Sequence, residues 1–172
     1  MNKLKLTKYQ VVLTILLFVC YSITVQIASK SILQDEVTTM PKELTMNPDV
    51  ALFWLNIAII ISSIILVVIQ ALIYKMIVGW LGVKREMSFG FSLLLWVSAV
   101  LTSGVITVLG TLLNDGMSVS QNAWFGLFTV VLSATVYGLL LWYFDVLEKQ
   151  KAILVIIIIS VLGNFGNLIK FL

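Results

Sequence analysis

The chain has no histidine and one cysteine, Cys20, and only 11% of its 172 residues are charged. Each shortage excludes a class of chemistry. Without histidine there is no histidine-ligated zinc site, bis-histidine haem, Ser-His dyad or HExxH helix. One thiol forbids a disulfide within the chain, so cysteine usage says nothing about the redox compartment. Soluble domains are roughly 25% charged. With 60% hydrophobic residues, this chain has too little polar side chain to cover a surface in water. A bilayer sets no such requirement. The net charge of +3 is too small to point to nucleic acid, and no nucleic-acid partner is expected.

What the chain does have is long apolar runs. About 20 such residues suffice for a helix to cross a hydrocarbon core about 30 Å thick. Five runs occur, at about 11–28, 51–73, 89–113, 123–144 and 152–169. They predict an all-α membrane protein, a bundle of five transmembrane helices forming a single transmembrane domain over 1–172. Outer-membrane barrels are excluded, because the runs lack the alternation and roughly ten-residue spacing of barrel strands. The polar stretch 29–49 is expected to be an outer loop, carrying Asp35, Glu36, Glu43 and Asp49 against Lys30 and Lys42. It reads as a solvated connection with a short helix, with a partner contact as the alternative.

Local signals mark the boundaries. Asn47 is placed to cap the second helix, Pro48 suits its first turn, and Asp49 complements the positive end of its dipole. Asn114, Asp115 and Gly116 signal a turn after the third run, and Ser120 is expected to cap the fourth. The loop between them is short, which makes helices three and four antiparallel neighbours.

Positive flanks stay on the cytoplasmic side of a membrane. One set of loops and flanks collects eight cations, Lys3, Lys5, Lys8, Lys75, Lys84, Arg85, Lys149 and Lys151, and the other collects three, Lys30, Lys42 and Lys170. The expected protein is therefore multi-pass in the cell membrane, N-terminus cytoplasmic and C-terminus outside. A rival reading makes the first run a cleaved signal peptide. Cleavage after Ala28 or Ser29 would put Gln26 or Ile27 where a small residue is wanted, so a retained helix is expected.

Helices in lipid associate through small residues and side-chain hydrogen bonds. Ala99, Ser103, Thr107 and Thr111 recur every four residues on the third helix, and Gly126, Val130, Ala134 and Gly138 on the fourth. These stripes are expected to form a packing seam within the chain, with a homo-oligomer seam as the alternative. Ala58 and Ser62 on the second helix, and Gly163, Asn164, Gly166 and Asn167 on the fifth, add further small or polar positions. No ionisable group falls at membrane depth, which argues against a proton-coupled pump or a voltage sensor. Gln26, Asn56, Gln70, Asn164 and Asn167 read as interhelical hydrogen-bonding groups or, alternatively, as the lining of a polar path. Tyr74, Trp80, Trp142 and Tyr143 suit an aromatic belt.

Lys75, Lys84 and Arg85 approach Lys149 and Lys151 if helices two to four pack together. Such a patch would attract anionic lipid headgroups or an acidic surface on a partner. Orientation alone accounts for the same residues. The break Gly79-Trp80-Leu81-Gly82-Val83-Lys84-Arg85, the opening Met87-Ser88-Phe89-Gly90-Phe91 and the junction from Trp142 to Ala152 resemble the bacterial branch of the YIP1 family. Family members often carry a proline in the third helix, where this chain has Leu101, Thr102 and Ser103. The resemblance implies a non-catalytic membrane protein that works through partners. Eukaryotic relatives engage small GTPases in vesicle traffic, and some bacterial relatives accompany ABC transporters.

The expected function is therefore an accessory or scaffold protein acting with membrane lipid and a membrane-protein partner, an ABC transporter or similar. It requires no catalytic residue, cofactor or metal. One alternative is a small transporter, channel or permease subunit with a path lined by Asn56, Gln70, Asn164 and Asn167. Another is an immunity or stress protein against a membrane-active peptide, working through the outer loop.

Overall fold

The computed structural model describes residues 3–39 and 47–169, with the side chains of 39 and 166–169 left aside. Among the described residues five α-helices follow one another: α1 Lys8–Thr39, α2 Pro48–Trp80, α3 Phe89–Leu113, α4 Ala123–Tyr143 and α5 Lys149–Ile169. A single 3-10 turn, Val119–Gln121, precedes α4. The described residues contain no strand, only an isolated parallel bridge between Leu4 and Met87. Four helices, α1 to α4, are long and apolar enough to cross a membrane, which makes this a multi-pass membrane protein.

Helix starts follow local chemistry. The Asn47 side chain accepts a hydrogen bond from the Asp49 amide at 3.0 Å, with Pro48 in the first turn. Ser88 caps α3 by accepting from the Phe91 amide at 3.2 Å. The cap of α4 is Asn122, accepting from Trp124 N at 3.0 Å and Phe125 N at 3.3 Å, and not Ser120. The reason is the 3-10 turn, which uses residues 119–121, so the α-helix starts one turn later.

The first helix corrects the expected boundary, because it does not stop where the apolar run stops. It continues through 29–39, so the first half of the stretch expected to be a loop is helical. Hydropathy marks where a bilayer ends, whereas the helix ends where its backbone bonding ends. Leu33 is buried on this extension, and Ser31 Oγ accepts from the Ser118 amide at 3.0 Å, anchoring it to the α3–α4 connection. The second helix likewise outruns its apolar core at both ends. Lys42, Glu43 and Lys170 lie outside the described residues.

Helix α3 is the centre of the bundle, with nine buried residues against five each on α2 and α4. It packs against α1, α2 and α4, while α5 lies on α4. Apolar side chains such as Phe53, Ile61, Ile65 and Leu66 face outward, and hydroxyls such as Ser92, Ser103 and Ser133 face inward. That distribution suits a lipid surround, where inward polar groups hold helices together.

Four connections gather one end of the bundle. Leu4 N donates to Glu86 O at 2.7 Å, and Ser88 N donates to Leu4 O at 2.8 Å. Lys84 N donates to Val146 O at 2.9 Å, and Lys151 Nζ donates to Gly82 O at 2.8 Å. All eight cations of the richer set therefore share one end, together with Glu86, Asp145 and Glu148. Among the described residues the opposite end carries Lys30 against Asp35, Glu36, Asp49 and Asp115. The bundle has a basic end and an acidic end.

Candidate functional site

The five cations of the expected patch are brought to the same end, held by turns of defined geometry. Lys84 Nζ lies 3.3 Å from Asp145 Oδ1, with both side chains well exposed. Such a surface pair contributes about 0–1 kcal/mol. Arg85 and Lys149 are exposed, and Lys75 is half-buried. Lys75 shares a hollow of about 320 Å³ with Lys3 and Glu86. The contribution of Lys3 escaped the sequence reading. Its signal is the alternation Lys3-Leu4-Lys5-Leu6, a strand-like period of two that leaves both lysines exposed and both leucines turned to the bundle.

The packing stripes divide between two neighbours. Ala99 and Ala134 are fully buried, and Ser133 Oγ donates to Ser103 Oγ at 2.7 Å, joining α4 to α3. Gly138 turns instead to α5, where a Cβ would meet the Ile156 side chain and sit 3.2 Å from the Ala152 carbonyl oxygen. Thr107 and Gly126 are half-buried. On α2, Ala58 and Ser62 face outward.

Tyr74 leaves the expected belt for the core. It is 5% exposed, whereas Trp80 is 80% exposed. Its ring meets Trp96 edge-on with centroids 4.6 Å apart, and Trp96 in turn meets Tyr137 at 5.4 Å. The cause is helical phase: Val67, Ala71, Tyr74 and Val78 share the buried face of α2. Ser92 Oγ donates to Ala71 O at 3.2 Å and accepts from the Tyr137 hydroxyl at 3.3 Å, which fixes α2, α3 and α4 below this cluster. Trp142 and Tyr143 stay exposed.

The embedded amides are not assembled into one path. Gln70 Oε1 accepts from Trp96 Nε1 at 3.2 Å. Asn56 bonds the Leu52 carbonyl of its own helix at 2.9 Å and lines a groove with Gln26 between α1 and α2. Asn164 reaches the Leu127 carbonyl on α4 at 3.5 Å. The Asn167 side chain lies outside the described residues.

Above the aromatic cluster is a cavity of about 310 Å³ to which all five helices contribute. Tyr21 and Thr24 come from α1, Gln70 and Tyr74 from α2, Trp96, Ser103 and Thr107 from α3, Thr129 and Ser133 from α4, and Gly163 from α5. Comparison with known proteins finds no family model, curated protein or solved structure that matches the chain.

Proposed function

We propose that the chain is an accessory or scaffold protein of the cell membrane, acting without covalent chemistry through a membrane-protein partner docked at its basic end. In this reading α5 is a fifth crossing, the N-terminus is cytoplasmic and the C-terminus is outside. The observation that carries it is the assembly of eight cations against three acids at one end by four separate connections. Lys84 is matched by Asp145, and Arg85 and Lys149 stand exposed on the same surface. An acidic surface on the cytoplasmic part of a partner complements this end, and anionic headgroups around it add to the attraction. The resemblance to the YIP1 family supports a partner of the ABC transporter kind.

The test is a brief cross-link in native membranes followed by a mild-detergent pull-down. It compares the wild-type chain with a Lys84→Glu, Arg85→Glu, Lys149→Glu variant. One membrane partner should be recovered reproducibly with the wild type and lost with the reversed charges. A solitary chain, or a partner indifferent to charge reversal, overturns the reading.

A further inference from the structure

The central cavity has a lining that helix packing alone does not require. Its volume of about 310 Å³ is roughly ten times the share of one water in the liquid. It also falls in the range of small-molecule sites, about 300–1,000 Å³. Among the described residues no lysine, arginine, aspartate or glutamate lines it.

The hydroxyl of Tyr74 is the group that points to a ligand. Its side chain is 5% exposed and lines the cavity, and its oxygen lies 4.0 Å from the Cβ position of Gly163 on α5. That hydroxyl has no hydrogen-bond partner among the described residues. Tyr74 lines the cavity, so a group from outside the chain can pair with this hydroxyl there. Gln70 presents a second donor, since its Oε1 is taken by Trp96 and its amide N–H groups are left over. On the other walls the threonine hydroxyls have spent their protons. Thr24 donates to Tyr21 O at 2.7 Å, Thr107 to Ser103 O at 3.0 Å and Thr129 to Gly126 O at 3.0 Å. Each retains lone pairs, so donors stand on the α2 wall and acceptors on α1, α3 and α4.

We propose that this cavity binds a small uncharged polyol, between glycerol and a hexitol in size. Each hydroxyl of a polyol both donates and accepts, which matches a wall that offers both kinds of group and no charge. A charged solute would leave its charge uncompensated in a low-dielectric site. An acyl chain would leave the Tyr74 and Gln70 donors unpaired. The inference rests on the cavity and is independent of what docks at the basic end.

The test is equilibrium binding of radiolabelled glycerol and radiolabelled sorbitol to the protein in nanodiscs. Wild type is compared with Tyr74→Phe and Gln70→Leu, and melting temperatures are recorded alongside. Tyr74→Phe removes a hydroxyl that bonds nothing in the chain, so the variant should melt no lower than wild type. The expected result is saturable binding of at least one probe, weakened tenfold or more in Tyr74→Phe. Absence of saturable binding of both probes would mean that the cavity holds water alone, and would overturn the proposal. Binding undiminished in both variants would overturn it as well.

Discussion

Lys151 Nζ donates to the carbonyl oxygen of Gly82 at 2.8 Å, so the first turn of α5 holds the turn that follows α2. Gly82 has φ 78°, the left-handed region where glycine carries no steric penalty. A hydrogen bond from a charged group is stronger than a neutral one, whereas an exposed ion pair contributes little. Lys151→Met should therefore lower stability by about 1 kcal/mol, and Lys84→Met by less than about 0.5 kcal/mol. Thermal unfolding of both variants in mild detergent checks this. The opposite ranking would mean that the Lys84–Asp145 pair holds the junction.

The Ser103–Ser133 bond joins the two central helices side chain to side chain. Membrane hydrogen bonds of this kind average about 0.6 kcal/mol in double-mutant cycles. A cycle of Ser103→Ala and Ser133→Ala should give a coupling of about that size. Strict additivity would show that the pair is merely adjacent.

Two glycines should respond in opposite directions. Gly138→Ala drives a methyl toward Ile156 and the Ala152 carbonyl and should cost about 1–3 kcal/mol. Adding Ile156→Ala should recover part of the loss. At Gly79 nothing lies within 4 Å of an added Cβ, so Gly79→Ala should raise stability by about 0.5 kcal/mol through helix propensity. Melting temperatures of the three variants decide the matter.

Replacement of the two candidate caps of α4 separates them. Asn122→Ala should cost about 1 kcal/mol, because two backbone amides lose their acceptor. Ser120→Ala should stay within about 0.5 kcal/mol, as expected of a surface position. Equal losses would place the cap in the 3-10 turn instead.

The ends of the bundle are open to chemical labelling. In a Cys20→Ala background, Arg85→Cys and Asp115→Cys place single thiols at the basic and acidic ends. An impermeant maleimide added to intact cells should label the second and spare the first. The reverse pattern would invert the proposed orientation, and labelling of both would contradict a membrane crossing between them.

The long apolar helices were legible because apolar runs report their own medium, and the Asn47-Pro48-Asp49 start was legible because capping is local. What escaped was set by tertiary partners. Ser29–Thr39 is polar enough to read as loop, yet Leu33 and Ser31 dock it and keep it helical. Tyr74 lies six residues from Trp80, near enough to the helix end to read as an anchor, and only its phase with Val67, Ala71 and Val78 reveals a core position. Gly138 belongs by spacing to a stripe aimed at α3, but its contact is with α5, a choice that no single-helix pattern records. The cavity lining was visible only as scattered hydroxyls, because its walls come from five helices.

The parallel bridge at Leu4 has a further consequence for how the chain is built. Leu4 precedes its partners Glu86 and Ser88 by more than eighty residues. At roughly 5–20 residues per second, synthesis reaches those partners about 4 to 17 s after Leu4 is made. Throughout that interval α1 lacks this anchor, and the Leu4 contacts have to wait for the α2–α3 turn. The first helix to be made is therefore held at its N-terminal end only after the second is complete and the third has begun.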